Sequence, residues 1–332
     1  MIISRAPFRI ALAGGGTDLP SYYSLHGGEV TSMAINRYIY VTFKRDLLED
    51  KVRLQYLKTE VVDNANQLSH ERARQVLREF DVLHRCEISS IADLPSKSGL
   101  GSSGSYLVAL INCLKEYRKL NLTKSDIANL ACRIEMEDLK EPVGKQDQFI
   151  ASHGGIQKFS IDRDGKVTVN PILITDDELR YFTKHCSIYY TGMQRSASKV
   201  LKSQTKDISN FAKQMQKISE LGTQFLEALQ SADFEKYGRL LDEHWTHKRM
   251  LSSSMTNGIL DDIYLDLKKN DMVLGGKIIG AGGGGFLMLY VPKEVEKVDH
   301  YMLQRGMPRI DYSLDRDGVK TLYKEENNDI LF

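Results

Sequence analysis

Three glycine clusters hold the residues whose types and spacing could do chemistry. Ala13-Gly-Gly-Gly-Thr-Asp18 ends a strand-like run, and Pro95-Ser-Lys-Ser-Gly-Leu-Gly-Ser-Ser-Gly-Ser105 joins a strand-like run to a helix-like one. Lys277-Ile-Ile-Gly-Ala-Gly-Gly-Gly-Gly-Phe286 precedes an apolar strand. Glycine serves either a backbone with positive φ or a close approach of backbone N–H groups to a ligand. One such cluster is compatible with a turn; three, one of them opening a helix, favour an anion site. In the middle cluster, the N–H groups and the positive end of a helix starting near Ser102 can hold a chain of phosphates. The hydroxyls of Ser102 and Ser103 suit a phosphate or Mg2+, a hard cation that takes oxygen ligands. Capping of the helix by these serines is the alternative of equal weight.

Two familiar nucleotide sites are excluded. Gly99-x-Gly101-x-x-Gly104 matches the dinucleotide-binding spacing, but that site needs a second strand after the helix, ending in an acid. Here a second helix follows, and Asp126 falls in its first turn, capped by Thr123 or Ser125. The sequence GxxxxGK[ST] of an ordinary phosphate loop is absent.

The elements that must position these clusters alternate in two blocks. Phe8–Leu12, Val30–Met33, Tyr38–Phe43, Val52–Tyr56 and Cys86–Ala92 read as strands, and Gln67–Phe80 as a helix. Leu107, Leu110, Ile111 and Leu114 keep helical spacing after the middle cluster. Ile156–Leu173 is strand-like with a turn at Asp162–Gly165, and Ser187–Tyr190 is a short strand. Ile208, Phe211, Met215, Ile218, Leu221 and Phe225 form an apolar helical stripe, a core face. Strands return over Ile278–Val291 and Arg309–Tyr323. The pattern is α+β, with a boundary near 160–185.

Composition narrows the function. The chain has 332 residues, and at ~150 residues per domain that is about two domains. Lys plus Arg is 45 against 44 for Asp plus Glu, a net charge of +1. A protein that neutralises many phosphates needs a clear basic excess, so a nucleic-acid partner is disfavoured. No apolar run approaches the ~18 residues that span a bilayer, so no membrane partner is expected. Arg5 and Arg9 straddle Pro7, and Ile10–Ala13 is too short for a secretory core. Four cysteines form no CxxC pair and read as buried free thiols. A cytoplasmic location fits all of these.

Together the three clusters resemble the motifs of the galactokinase, homoserine kinase, mevalonate kinase and phosphomevalonate kinase superfamily. Arg5-Ala-Pro-Phe-Arg9 leading into Gly14–Asp18 resembles motif one, Pro95–Ser105 motif two, and Lys277–Phe286 motif three. The resemblance implies a small-molecule kinase using ATP and Mg2+. It implies two domains: residues 1–175, ATP-binding and ribosomal-protein-like, and residues 176–332, ferredoxin-like, with the site in the cleft between. ATP is then expected on Lys97, Ser98, Gly99, Leu100, Gly101, Ser102, Ser103 and Gly104. By the same resemblance Asp147, in Gly144-Lys-Gln-Asp-Gln148, is the catalytic aspartate, and Arg9 the cation beside it. Ser103 and Glu135 are the implied Mg2+ ligands, with Glu137 as an alternative. Gly15, Gly16, Thr17, Asp18, Gly283 and Gly284 are the implied substrate contacts. Read without the resemblance, Glu135 is a solvated acid in an acidic run and Asp147 a loop acid.

Galactokinases carry an acid and a His before the Thr-Asp of motif one, whereas this chain has Gly15 and Gly16, which argues for another sugar. Ala13-Gly-Gly-Gly-Thr-Asp-Leu-Pro-Ser-Tyr-Tyr23 and Tyr190-Thr-Gly-Met-Gln-Arg-Ser-Ala197 resemble the branch of sugar 1-kinases acting on heptose phosphate and, loosely, fucose. The implied reaction is phosphorylation of the anomeric hydroxyl of D-glycero-D-manno-heptose 7-phosphate, for nucleotide-activated heptose and surface polysaccharide. An L-fucose kinase of the same fold and a non-catalytic sugar sensor are the alternatives. Such a sugar phosphate needs a cationic clamp, and Arg195, after the Thr191-Gly192 turn, is the expected one. A monomer or homodimer is expected.

Overall fold

The computed structural model describes residues 1–193, 208–252, 255, 257–280 and 282–325. Two antiparallel strands, β1 (Ile2–Ala13) and β2 (Gly28–Arg45), form its spine. The two runs expected as separate strands at Val30–Met33 and Tyr38–Phe43 are one strand, β2. Its pairing with β1 jumps from Pro7–Tyr38 to Phe8–Ile35, so Asn36 and Arg37 bulge out without ending it. The two halves of β2 then serve different neighbours. Gly28–Met33 pairs with β6 (Ile156–Ile161), and Ile39–Arg45 with β5 (Cys86–Ala92).

Beyond β5 lie β3 (Val52–Gln55) and β4 (Thr59–Val62), and beyond β6 lies β7 (Val167–Pro171). The helix expected at Gln67–Phe80 starts later, as α2 (Glu71–Glu79), after α1 (Pro20–His26). Asn64 and Gln67 cap a short 3-10 turn over Ala65–Gln67 first, and the His70 ring then accepts from the Ala73 N–H. Local capping therefore splits one periodic run in two.

α3 (Ser102–Tyr117) packs on β1 and β2 and is flanked by α2, α4 (Lys124–Arg133) and α5 (Gln146–His153). Every residue from Gly104 to Leu114 is buried. A helix apolar on all sides is a core helix, and burial of each large aliphatic side chain contributes about 1.5–3 kcal/mol. Thr123, not Ser125, caps α4, with Asp126 bonding back to it. One π-helical turn, Ile134–Asp138, follows α4 directly.

The second block starts with α6 (Asp176–His185) and β8 (Cys186–Tyr190). Among the described residues its sheet is β8-β10-β9, with β9 at Gly275–Ile278 and β10 at Phe286–Tyr290. The strand expected over Ile278–Val291 is thus two strands joined by the third glycine cluster. Helices α7 (Ile208–Gln230), α8 (Phe234–Arg249), α9 (Gly258–Lys269) and α10 (Val295–Leu303) accompany it. α7 also packs on β1 and β2. Of the tail expected as a strand over Arg309–Tyr323, Arg309 and Leu314 make single bridges only; β11 (Lys320–Lys324) pairs with β1. The last segment therefore returns to the first sheet, across the expected boundary at 175/176. All four cysteines are buried free thiols. Among the described residues no helix is long and apolar enough to cross a membrane.

Candidate active site

The three glycine clusters converge on one cleft of about 820 Å³. On its first wall, β1 and α5 bring an acid and a base together. The Arg9 Nε donates to Asp147 Oδ1 at 2.7 Å, and a terminal nitrogen donates to the Gly99 carbonyl at 2.6 Å. Asp147 sits in the first turn of α5, where the helix dipole favours a carboxylate. The Arg9 side chain is 5% exposed and that of Asp147 25%, so the acid faces the cleft and the cation backs it.

Asp18 lies beside this pair. Its Oδ1 accepts from the Gly16 N–H at 3.2 Å and its Oδ2 from the Gln146 N–H at 3.1 Å. Burial raises its pKa above the ordinary carboxylate value, the Gln146 N–H opposes that, and the nearby Asp147 charge adds to the rise. Gly144 is required here: a Cβ on it would lie 1.9 Å from Asp18 Oδ2.

The middle cluster opens α3. Gly101 occupies the N-cap with φ of 82°, a left-handed conformation that favours glycine, and no side chain caps the helix. The serines therefore do not cap it, and its first-turn N–H groups stay available to a ligand. Lys97, Gly99, Gly101, Ser102 and Ser103 line the cleft. Ser98, Leu100 and Gly104 are buried and do not line it; the Leu100 carbonyl instead accepts from the Arg9 N–H at 3.0 Å. The third cluster packs on this loop backbone to backbone. A Cβ at Gly280 would lie 2.6 Å from the Gly99 carbonyl oxygen.

Other expectations are redistributed. Gly15, Gly16 and Asp18 line the cleft, but Thr17 is fully buried and does not. Its hydroxyl bonds to the carbonyls of Gly14 at 2.9 Å and Glu29 at 2.6 Å, which locks the turn. Gly284 lines the cleft with Gly280 and Gly282, whereas the Gly283 N–H donates to the Met255 carbonyl at 2.6 Å. Arg195 lies outside the described residues.

Glu135 departs furthest from its expected place. The π-turn directs it inward, where it is fully buried. Arg72 donates to its Oε1 at 3.0 and 2.8 Å, and Gln148 donates to its Oε2 at 2.7 Å. It does not line the cleft with Ser103, so the pair of metal ligands is not assembled, and Glu137 is exposed. Among the described residues no group of three His, Cys, Asp or Glu could hold a metal ion.

Several cleft residues escape sequence reasoning. Arg72 has no signal in a surface-rich helix. Leu57 and Ile91, 87% and 71% exposed, form an apolar shelf beside Tyr56 and Leu94. Lys248 did carry a signal: it lies four residues after His244 and seven after Leu241, on the buried stripe of α8.

Residues 56–155 match the family model described as "GHMP kinases N terminal domain". The chain is 29% identical over 335 residues, 96% of this chain and 98% of the other, to the D-glycero-alpha-D-manno-heptose 7-phosphate kinase of Campylobacter jejuni. A D-glycero-D-manno-heptose 1-phosphate kinase from Bacteroides thetaiotaomicron superposes with a TM-score of 0.80 at 23% identity, over 98% of this chain and 100% of that one. Lactococcus lactis galactokinase complexed with galactose superposes with a TM-score of 0.74 at 18% identity, over 96% and 94%.

Proposed function

Taking the chain as a sugar-phosphate kinase that carries the GHMP kinase N-terminal domain, we propose that it uses ATP to phosphorylate the anomeric hydroxyl of D-glycero-D-manno-heptose 7-phosphate. The product is the 1,7-bisphosphate. One observation carries the reading: the Asp147 carboxylate, held by Arg9 at 2.7 Å, faces the cleft beside the uncapped N-terminus of α3. The similarity to a heptose 7-phosphate kinase along nearly the whole chain supports the choice of acceptor.

The residues divide the work as phosphoryl transfer requires, by positioning and charge stabilisation. First-turn N–H groups of α3 and the hydroxyls of Ser102 and Ser103 receive the phosphates of ATP. The apolar shelf of Leu57 and Ile91 suits the base. Asp18 has lone pairs left for sugar hydroxyls and, with Gly15 and Gly16, orients the acceptor. Asp147 takes the proton of the anomeric hydroxyl as its oxygen bonds to the γ-phosphorus and the bond to the leaving ADP breaks. Arg9 fixes the rotamer of Asp147. Lys97 and Gly99 complete the phosphate wall, and residues 1–175 and 176–332 are the two halves that flank the cleft.

Mg2+, which the resemblance implies, does not find its expected ligands. Glu135 is sealed by Arg72 and Gln148, while Glu141 and the two serine hydroxyls face the cleft. The anomeric phosphate of the product is the group that nucleotidyl transfer uses, so a nucleotidyltransferase in the cytoplasm would act downstream of this enzyme.

ADP release on a panel of sugars and sugar phosphates tests the reading. Heptose 7-phosphate should be used at least ~100-fold more efficiently than the free heptose, because more than one charged hydrogen bond is lost with the phosphate. Better efficiency on fucose would replace the acceptor; no turnover on any sugar would leave a sensor.

A further inference from the structure

The second wall of the cleft carries basic groups that the chemistry above does not use. Lys248, near the end of α8, is 7% exposed and lines the cleft with Asp18, Gly280 and Gly282. Its Nζ donates to the Gly280 carbonyl at 2.8 Å, the one hydrogen bond it makes among the described residues. No carboxylate among the described residues lies within ion-pair reach of it. Asp18 and Arg9 are near enough for their charges to act on it in opposite directions.

Two more basic side chains lie behind it. His244, one turn earlier on α8, is fully buried, and neither ring nitrogen has a partner among the described residues. Lys277 is 2% exposed and donates to the Leu12 carbonyl at 3.0 Å. Burial holds both lysines below the ordinary lysine range, Lys248 at about 8. A buried ammonium without a counter-ion is costly, and among the described residues two of the three Lys248 donors have no partner. A surface cation would have gone to water; this one lines the same cleft as the glycine-rich loop that opens α3, and its partner Gly280 packs against that loop at Gly99.

We propose that Lys248 binds phosphoryl oxygens of a ligand in the cleft, as the cation of the second wall. This rests on the reading above that the cleft brings ATP and a sugar phosphate together. Two phosphoryl groups have the required chemistry: the acceptor's own phosphate and the group in transfer. A purely architectural role, pinning the third glycine loop through Gly280, is the competing account.

The test compares Lys248→Met and Lys248→Arg with the wild type. Steady-state kinetics are run on heptose 7-phosphate and on unphosphorylated heptose, and pyrophosphate binding is measured by calorimetry without sugar. Lys248→Met should lower kcat/KM on the phosphorylated sugar at least about 10-fold, the loss expected for one charged hydrogen bond. Lys248→Arg, which keeps the charge, should recover much of it. A loss confined to the KM of the phosphorylated sugar assigns Lys248 to the acceptor's phosphate. An equal fall in kcat on both sugars, with weaker pyrophosphate binding, assigns it to the group in transfer. Kinetics and pyrophosphate binding of Lys248→Met within threefold of the wild type would overturn the proposal. So would a loss that Lys248→Arg does not recover, with both variants melting early, since that is the architectural result. If the wild type phosphorylates no sugar, the functional reading fails, and pyrophosphate binding still decides the role of Lys248.

Discussion

The two walls of the cleft treat charge in opposite ways. On the first wall every charge that matters is matched inside the protein: Arg9 with Asp147, Arg72 with Glu135, Asp18 with two backbone N–H groups. On the second, among the described residues, the Lys248 and Lys277 ammonium groups meet only carbonyl oxygens, and the His244 ring packs on Phe225 with neither nitrogen hydrogen-bonded. Matched charges fix geometry before any ligand arrives, which catalysis by orientation needs. Unmatched buried cations leave an electrostatic demand that a ligand satisfies. The matched groups Arg9, Asp147 and Asp18 suit positioning, and Lys248 suits binding an anion.

The largest expected effect comes from breaking the matched wall where it meets the cleft. Asp147→Asn keeps the shape and loses the base, so turnover should fall by roughly 10²–10⁴-fold, the usual worth of a general base. ATP affinity should stay nearly unchanged if Asp147 acts on the acceptor as proposed. Near-wild-type turnover would remove Asp147 from the chemistry.

The second matched pair should respond differently, in stability. Arg72→Ala leaves the fully buried Glu135 carboxylate with Gln148 as its one side-chain partner among the described residues. Removing one member of a buried ion pair costs roughly 3–5 kcal/mol, at the lower end here because the Arg72 side chain is 25% exposed. Denaturant unfolding measures it, and Arg72→Ala combined with Glu135→Gln should recover most of the loss. An unchanged midpoint in the single variant would show that this pair is not the anchor it resembles. A smaller effect is expected at the loop. Gly101→Val forces a β-branched residue into φ of 82° and should weaken ATP binding about tenfold while the fold persists; unchanged affinity by calorimetry would reduce the loop to a turn.

The same contrast explains what could be read from the sequence. The glycine clusters were legible because close backbone approach admits no other residue; Arg9 and Asp18 lie beside or within the first of them, whereas Asp147 was reached only through the family resemblance, since its residues alone read as a loop acid. The core helix α3 was legible from Leu107, Leu110, Ile111 and Leu114. The roles of Glu135 and Thr17 were not, because a motif gives a residue's place in the chain and not its partners. Glu135 is turned inward by a π-turn, and Arg72 reaches it from sixty-three positions away. The long strand β2 was hidden by its own bulge at Asn36 and Arg37, whose polar types read as a turn. The return of β11 to β1 pairs Lys320–Lys324 with the first residues of the chain, and no local pattern encodes a pairing across that distance.

The smallest effect sharpens the second wall through pH. The folded protein releases the Lys248 proton at about 8 instead of the ordinary 10.5, chiefly because burial penalises the charged form and Arg9 adds to it. The unfolded chain keeps that proton until about 10.5, so between these values it binds more protons than the folded state. Stability therefore gains from Lys248 as pH rises through that window, and the burial cost is fully present below it. Lys248→Met has no such group; Arg9, Asp18 and His244 are common to both proteins, and the comparison is made with Lys277→Met in both backgrounds, because the Lys248 charge lowers the pKa of Lys277 and would otherwise make it titrate differently in the two. The difference in melting temperature between wild type and Lys248→Met should shift toward the wild type from pH 8 to pH 10, by several degrees at roughly 2–4 °C per kcal/mol for a chain of this class. His244, held well below its ordinary 6.5 by burial, acts on the acid side and leaves this window clear. Saturating pyrophosphate should reduce the shift, since an anion on Lys248 keeps it protonated above 8. A pH-independent difference between the two proteins would mean that Lys248 is already matched, and the two walls would then not differ as described.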